Sequence, residues 1–104
     1  MKIYSSLLKG FLSDELDRTN RMLLKYSEEL KSYPKGSVYI KKSGKQKYVY
    51  RVHRENKRVI SECLGNVENV NVYEIFMQSE NRKNIENIIA DLIVEKKDLE
   101  RILK

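Results

Sequence analysis

The chain has 104 residues, 40% hydrophobic and 35% charged, with a net charge of +6. That length sets a limit of one domain with a modest core. The single cysteine, Cys63, rules out an internal disulfide and fits a reducing compartment.

The opening stretch MKIYSSLLKGFLSDELD holds no apolar run longer than two residues. It reads as neither a signal-peptide core nor a membrane span, so a cytoplasmic protein with no membrane partner is expected. Ile3, Tyr4, Leu7, Leu8, Phe11 and Leu12 recur at helical spacing, as a short helix broken near Gly10 or an extension of the next one. Residues 13–33 read as a helix. Ser13 supplies an N-cap, and Asp14, Glu15 and Asp17 place negative charge at the positive end of the dipole. Leu16, Leu23 and Leu30 repeat every seven residues, with Thr19, Tyr26 and Tyr33 between them. Pro34 disfavours helical geometry at the residue before it, which ends the helix.

Residues 34–66 change period and charge. Val38 and Ile40 alternate with Tyr39 and Lys41; Tyr48, Tyr50 and Val52 alternate with Val49, Arg51 and His53; a third run covers 59–64. Turns are expected at 43–46 and 54–57, with Gly65-Asn66 closing a three-stranded antiparallel meander. This segment holds nine basic residues against only Glu55 and Glu62, giving +7, while the rest of the chain nets −1. Residues 67–104 return to helical spacing. Ile85, Leu92 and Leu99 lie seven apart with Ile88, Ile89, Ile102 and Leu103 beside them, and Ser79-Glu80 is a candidate N-cap after a short turn at 73–77.

The expected architecture is therefore α+β in a single domain over 1–104: helical to 33, a basic β-meander over 34–66, and a long helix packed antiparallel to the first. The two heptad seams also admit completion by a second copy, as a homodimer.

Catalytic chemistry is hard to find. His53 and Cys63 sit within reach across a turn, but a nucleophilic pair needs an orienting third group, and none is in sight. The simpler reading is a small buried Cys and an exposed strand His. The helix carboxylates stand near Lys or Arg as solvated faces, such as Glu15 with Arg18. No phosphate loop and no metal-ligand spacing occur, so neither cofactor nor metal is expected and the chain reads as non-enzymatic.

What rises above background is the basic meander. With Val38, Ile40, Tyr48, Tyr50 and Val52 turned inward, its outer face presents Tyr39, Lys41, Lys47, Val49, Arg51 and His53, with Lys57 and Arg58 at the edge. Lys42 and Lys45 flank the first turn. Lys and Arg neutralise phosphates, and Tyr and His stack on bases. Tyr39, Lys41, Lys42, Lys45, Lys47, Arg51, His53, Lys57 and Arg58 are thus the candidate contacts to nucleic acid or a nucleoprotein complex.

The stretch GSVYIKKSGKQKYVYRVHRENKRV resembles the three-stranded arm-type DNA-binding domain of phage tyrosine integrases, with its Gly-Ser start, basic first hairpin and aromatic second strand. It departs from that pattern in lacking a Trp on the second strand, in its turn Glu55-Asn56-Lys57-Arg58, and in having no recombinase domain after it. The resemblance implies that Tyr39, Lys41, Lys47, Arg51 and Arg58 approach a DNA groove. Residues 28–104 also resemble an uncharacterised prokaryotic family with a Gly-Ser-opened meander and a long charged helix. By analogy with phage proteins that occlude host machinery, among them inhibitors of CRISPR nucleases, the alternative is a protein inhibitor of a host defence nuclease.

Overall fold

A computed structural model describes residues 5–104; Ile3 and Tyr4, read above as helical, lie outside the described residues. In chain order the elements are α1 (Ser6–Leu30), β1 (Ser37–Ser43), β2 (Gln46–Glu55), β3 (Arg58–Asn66) and α2 (Val72–Leu103). The expected α+β order, helix, three-stranded antiparallel meander and long C-terminal helix, is the observed one. The chain forms two compact units: the chain up to Ser32 with Ile85–Lys104, and Tyr33–Asn84.

In the first unit, α1 is continuous through Gly10 and is capped by Ser5, whose hydroxyl accepts the Leu8 N–H at 3.1 Å. Ser13, expected as the cap, therefore lies inside the helix. The far end stops at Leu30, three residues short of Tyr33: Ser32 turns back, donating its N–H at 3.1 Å and its hydroxyl at 2.6 Å to the Glu29 carbonyl. Leu16, Leu23 and Leu30 are half-buried, and Thr19 on the same seam is buried, its hydroxyl satisfied by the Glu15 carbonyl at 2.9 Å. Ile85, Leu92 and Leu99 are the buried positions of α2 in this unit, one every second turn as the spacing requires. The two helices make a helical hairpin with a narrow apolar seam.

Gly10 is exposed in mid-helix, and an added Cβ would meet nothing within 4 Å. Gly10→Ala is accordingly expected to raise stability by about 0.8 kcal/mol, the difference in helix propensity. Thermal denaturation reads this as a melting point higher by several degrees.

In the second unit, the meander is joined by two tight turns. Gly44 has φ +64° at the first central position and Lys45 is not left-handed, the arrangement of a type II′ hairpin. The second turn is centred on Asn56 and Lys57, with φ +51° and +67°, one residue later than the spacing indicated. Both central residues are left-handed as a type I′ turn demands, and Lys57 adopts this geometry against its own preference. Ser37 pairs with Val52, Tyr39 with Tyr50, Lys41 with Tyr48 and Lys42 with Lys47. Between β2 and β3, Tyr50 pairs with Cys63 but Val49 with Gly65, so Leu64 is the extra residue of a bulge.

Cross-strand partners share a face, and this register corrects the two-face assignment made from alternation. Tyr39 and Tyr50 lie together, whereas Val38 and Ile40 lie with Val49 and Arg51. The aliphatic face is the one covered at its centre, where Val49 is 0% exposed and Val70 crosses beside its partner Gly65, whereas Ile40 on β1 is 46% exposed. Tyrosine prefers the open face, where a ring can pack and its hydroxyl still reach water. After the sheet, Asn71 caps α2 by accepting the Glu74 N–H at 3.0 Å, so Tyr73–Met77 is already helix and Ser79 is an interior, buried position rather than a cap. Arg82 donates to the Tyr33 carbonyl at 2.7 Å, tying α2 to the segment that leads into β1.

A candidate nucleic-acid interface on the β-meander

The sheet sorts the candidate residues into three places. Tyr39 and Lys41 stand on the open face, while Lys42, Lys47, Arg51, His53 and Arg58 belong to the face that covers Val49. Lys45 and Lys57 occupy the turns at opposite ends of β2, a ten-residue strand, and so are separated by roughly 30 Å. The nine residues are not one patch.

Lys41, Lys42, Lys45 and Lys47 do come together, at the tip of the β1–β2 hairpin. All four are exposed, and among the described residues none has a carboxylate in ion-pair range. No Asp or Glu occurs between Ser37 and Arg54. Lys42 directly faces Lys47 across the ladder, a like-charge pair that costs stability unless an anion compensates it.

Arg51 and His53 are half-buried in mid-strand and face a different setting. His53 Nε2 lies 3.6 Å from a Glu55 carboxylate oxygen, and Arg51 is paired in register with Glu62. They line a shallow depression of about 320 Å³ with Lys35, Pro34 and Arg54, in which Glu55 and Glu62 offset the cations. An anion gains little there. Lys41 and Arg51, grouped by alternation as one surface, are on opposite faces.

The other side of the sheet holds what alternation missed. The rings of Tyr39 and Tyr50 stack at 5.5 Å between centroids and 16° between planes. Tyr39 reaches across to β3, where its hydroxyl meets the Ser61 hydroxyl at 3.2 Å. Tyr48 and Lys41 form the next cross-strand row; Arg54, paired with exposed Val59, has the same parity and also borders the depression near the end of β2. No carboxylate belongs to this face, because Glu55 and Glu62 both belong to the other. The Tyr50 hydroxyl has its pKa raised, by shielding from solvent first and by the adjacent Cys63 thiol second. Tyr48 and Tyr50 were legible as surface groups from the turn: a two-residue loop at Gly44-Lys45 places Tyr39 opposite Tyr50 and Lys41 opposite Tyr48.

His53 and Cys63 are parted by the same register. Cys63 pairs with Tyr50 and is exposed, while His53 pairs with Ile60 and is half-buried, reversing the burial expected for the two. They stand on opposite faces and cannot exchange a proton directly. Among the described residues no three His, Cys, Asp or Glu side chains gather as metal ligands, and no helix is long and apolar enough to cross a membrane. No protein-family model, no curated protein and no solved structure matches this chain.

Proposed function

We propose that this protein is a non-enzymatic accessory factor that binds nucleic acid, alone or within a nucleoprotein complex, through its β-meander. The observation that carries the reading is the tip of the β1–β2 hairpin. Four exposed lysines cluster at this turn, Lys42 and Lys47 face to face and Lys41 on the other side of the ladder, with no acidic residue between Ser37 and Arg54 to neutralise them. A folded protein that tolerates such repulsion gains from a polyanion that relieves it. Lysines contribute this as phosphate contacts, with affinity from the release of condensed counterions.

The test is a fluorescence-anisotropy titration against labelled duplex DNA, single-stranded DNA and RNA at several salt concentrations. Four phosphate contacts give a slope of about −3 to −4 in log affinity against log salt, or on the order of a hundredfold weaker binding between 50 and 200 mM. Absence of binding to every nucleic acid at low salt would sink the proposal. The same lysines would then serve the alternative, docking on an acidic protein surface such as that of a host nuclease.

A further inference from the structure

The lysine tip explains attraction to phosphate but leaves the open face of the sheet without a role. That face carries Tyr39, Tyr48 and Tyr50 with Lys41 and Arg54, and it has no carboxylate. Three features set it apart from an ordinary solvated sheet. Its aromatic rings are held in a parallel pair before any ligand arrives, by each other and by the Tyr39–Ser61 hydroxyl contact. Tyr39 nonetheless remains 38% exposed, so part of the pair is open to solvent. The charge beside the rings is all positive, and the remaining polar groups, such as Ser37, Ser61 and Asn66, are neutral.

We infer that the tyrosine face of the meander binds a single-stranded stretch of nucleic acid, with unpaired bases stacking on the Tyr39–Tyr50 pair while Lys41 and Arg54 meet the backbone. The inference rests on the function proposed above and narrows its ligand. Stacking needs the flat face of a base, and a paired base inside a duplex hides that face between its neighbours. A preformed aromatic platform gains more from an unpaired strand, because the rings lose little freedom on binding and every base offers a π-face. The lysines of the tip serve any polyanion, duplex or single strand, so discrimination has to come from the tyrosines. A protein partner fits less well: an acidic surface would satisfy Lys41 and Arg54 but would leave the ring faces without a flat counterpart.

The experiment compares a labelled single strand with its blunt duplex, at one salt concentration, for four proteins. The unaltered protein is expected to bind the single strand more tightly. Tyr39→Leu is expected to weaken single-strand binding about tenfold to a hundredfold and to leave duplex binding unchanged. Tyr39→Phe keeps the ring while losing the hydroxyl contact, and is expected to bind as the unaltered protein does. Lys42→Glu/Lys47→Glu is expected to weaken both ligands. Equal single-strand affinity for Tyr39→Leu and the unaltered protein, with binding lost in the lysine variant, overturns the stacking inference and leaves the proposed function standing. Unchanged binding in the lysine variant takes the hairpin tip out of the interface, and no binding of the unaltered protein to either ligand overturns the proposed function itself. Should Tyr39→Leu fail to fold by circular dichroism, Tyr39→Trp provides the second readout. The chain has no other Trp, so its emission is expected to be quenched on saturation with the single strand; no quenching at saturation overturns the inference.

Discussion

Substituting Gly36 by alanine is expected to destabilise the sheet unit by roughly 3 kcal/mol, combining left-handed backbone strain with steric overpacking. Gly36 has φ +103°, a conformation that L side chains rarely adopt, immediately before β1 begins at Ser37. An added Cβ would also collide with the Val52 carbonyl oxygen and lie 2.9 Å from the His53 Cβ. The obstructing atoms include the backbone of the central strand, which cannot move aside without breaking its pairing with Ser37. Gly44→Ala is the control. Its φ of +64° imposes strain, but nothing lies within 4 Å of the new Cβ, so a loss of only about 1 kcal/mol is expected. Urea denaturation followed by circular dichroism distinguishes the two. Equal losses would show that the close approach at Val52 contributes nothing beyond backbone strain.

The second large effect is on binding. Lys42→Glu/Lys47→Glu reverses the two lysines that face one another at the hairpin tip and is expected to weaken nucleic-acid affinity on the order of a hundredfold at low salt. Its fold stability should stay close to the parent value, since one like-charge pair replaces another. The single variant Lys42→Glu separates the two properties more sharply. It sets an acid opposite Lys47, which is expected to stabilise the hairpin by roughly 0.5 kcal/mol while still weakening binding. Opposite signs in melting point and affinity would identify the pair as retained for a ligand rather than for the fold. A variant that gained stability and bound normally would remove the tip from the interface.

These expectations rest on a register that alternation alone did not settle. On β2 both parities are apolar or aromatic: Val49 stands between Tyr48 and Tyr50, and Val52 follows. A period-two pattern of that kind identifies a strand without saying which side is covered. The lengths of the turns do say which residues are cross-strand neighbours, and the Gly44-Lys45 turn was visible in the sequence. Counting outward from it separates Tyr39 from Val38 and Ile40 and unites it with Tyr50.

The order of elements and the heptad seams were accessible to the chain's own spacing, because helical and extended backbones impose different side-chain periods that survive in local sequence. Ile85, Leu92 and Leu99 are buried where that spacing puts them. The concentration of positive charge in residues 34–66 was likewise a matter of counting. Helix ends were less accessible: Ser5 caps α1 and Asn71 caps α2, although Ser13 and Ser79 have the same capping chemistry. The folded chain made that choice: both helices run past the inner serine, each added residue closing one more backbone hydrogen bond, while Leu7, Phe11 and Tyr73 of the added turns stay exposed. It also chose the aliphatic side of the sheet for burial, where Val49 loses all contact with water. Burying three tyrosines instead would have required partners for three hydroxyls, whereas the open side leaves them to Ser61, Cys63 and solvent. That difference in desolvation is the physical reason that Val49, rather than Tyr48 or Tyr50 beside it, is the buried residue of the central strand.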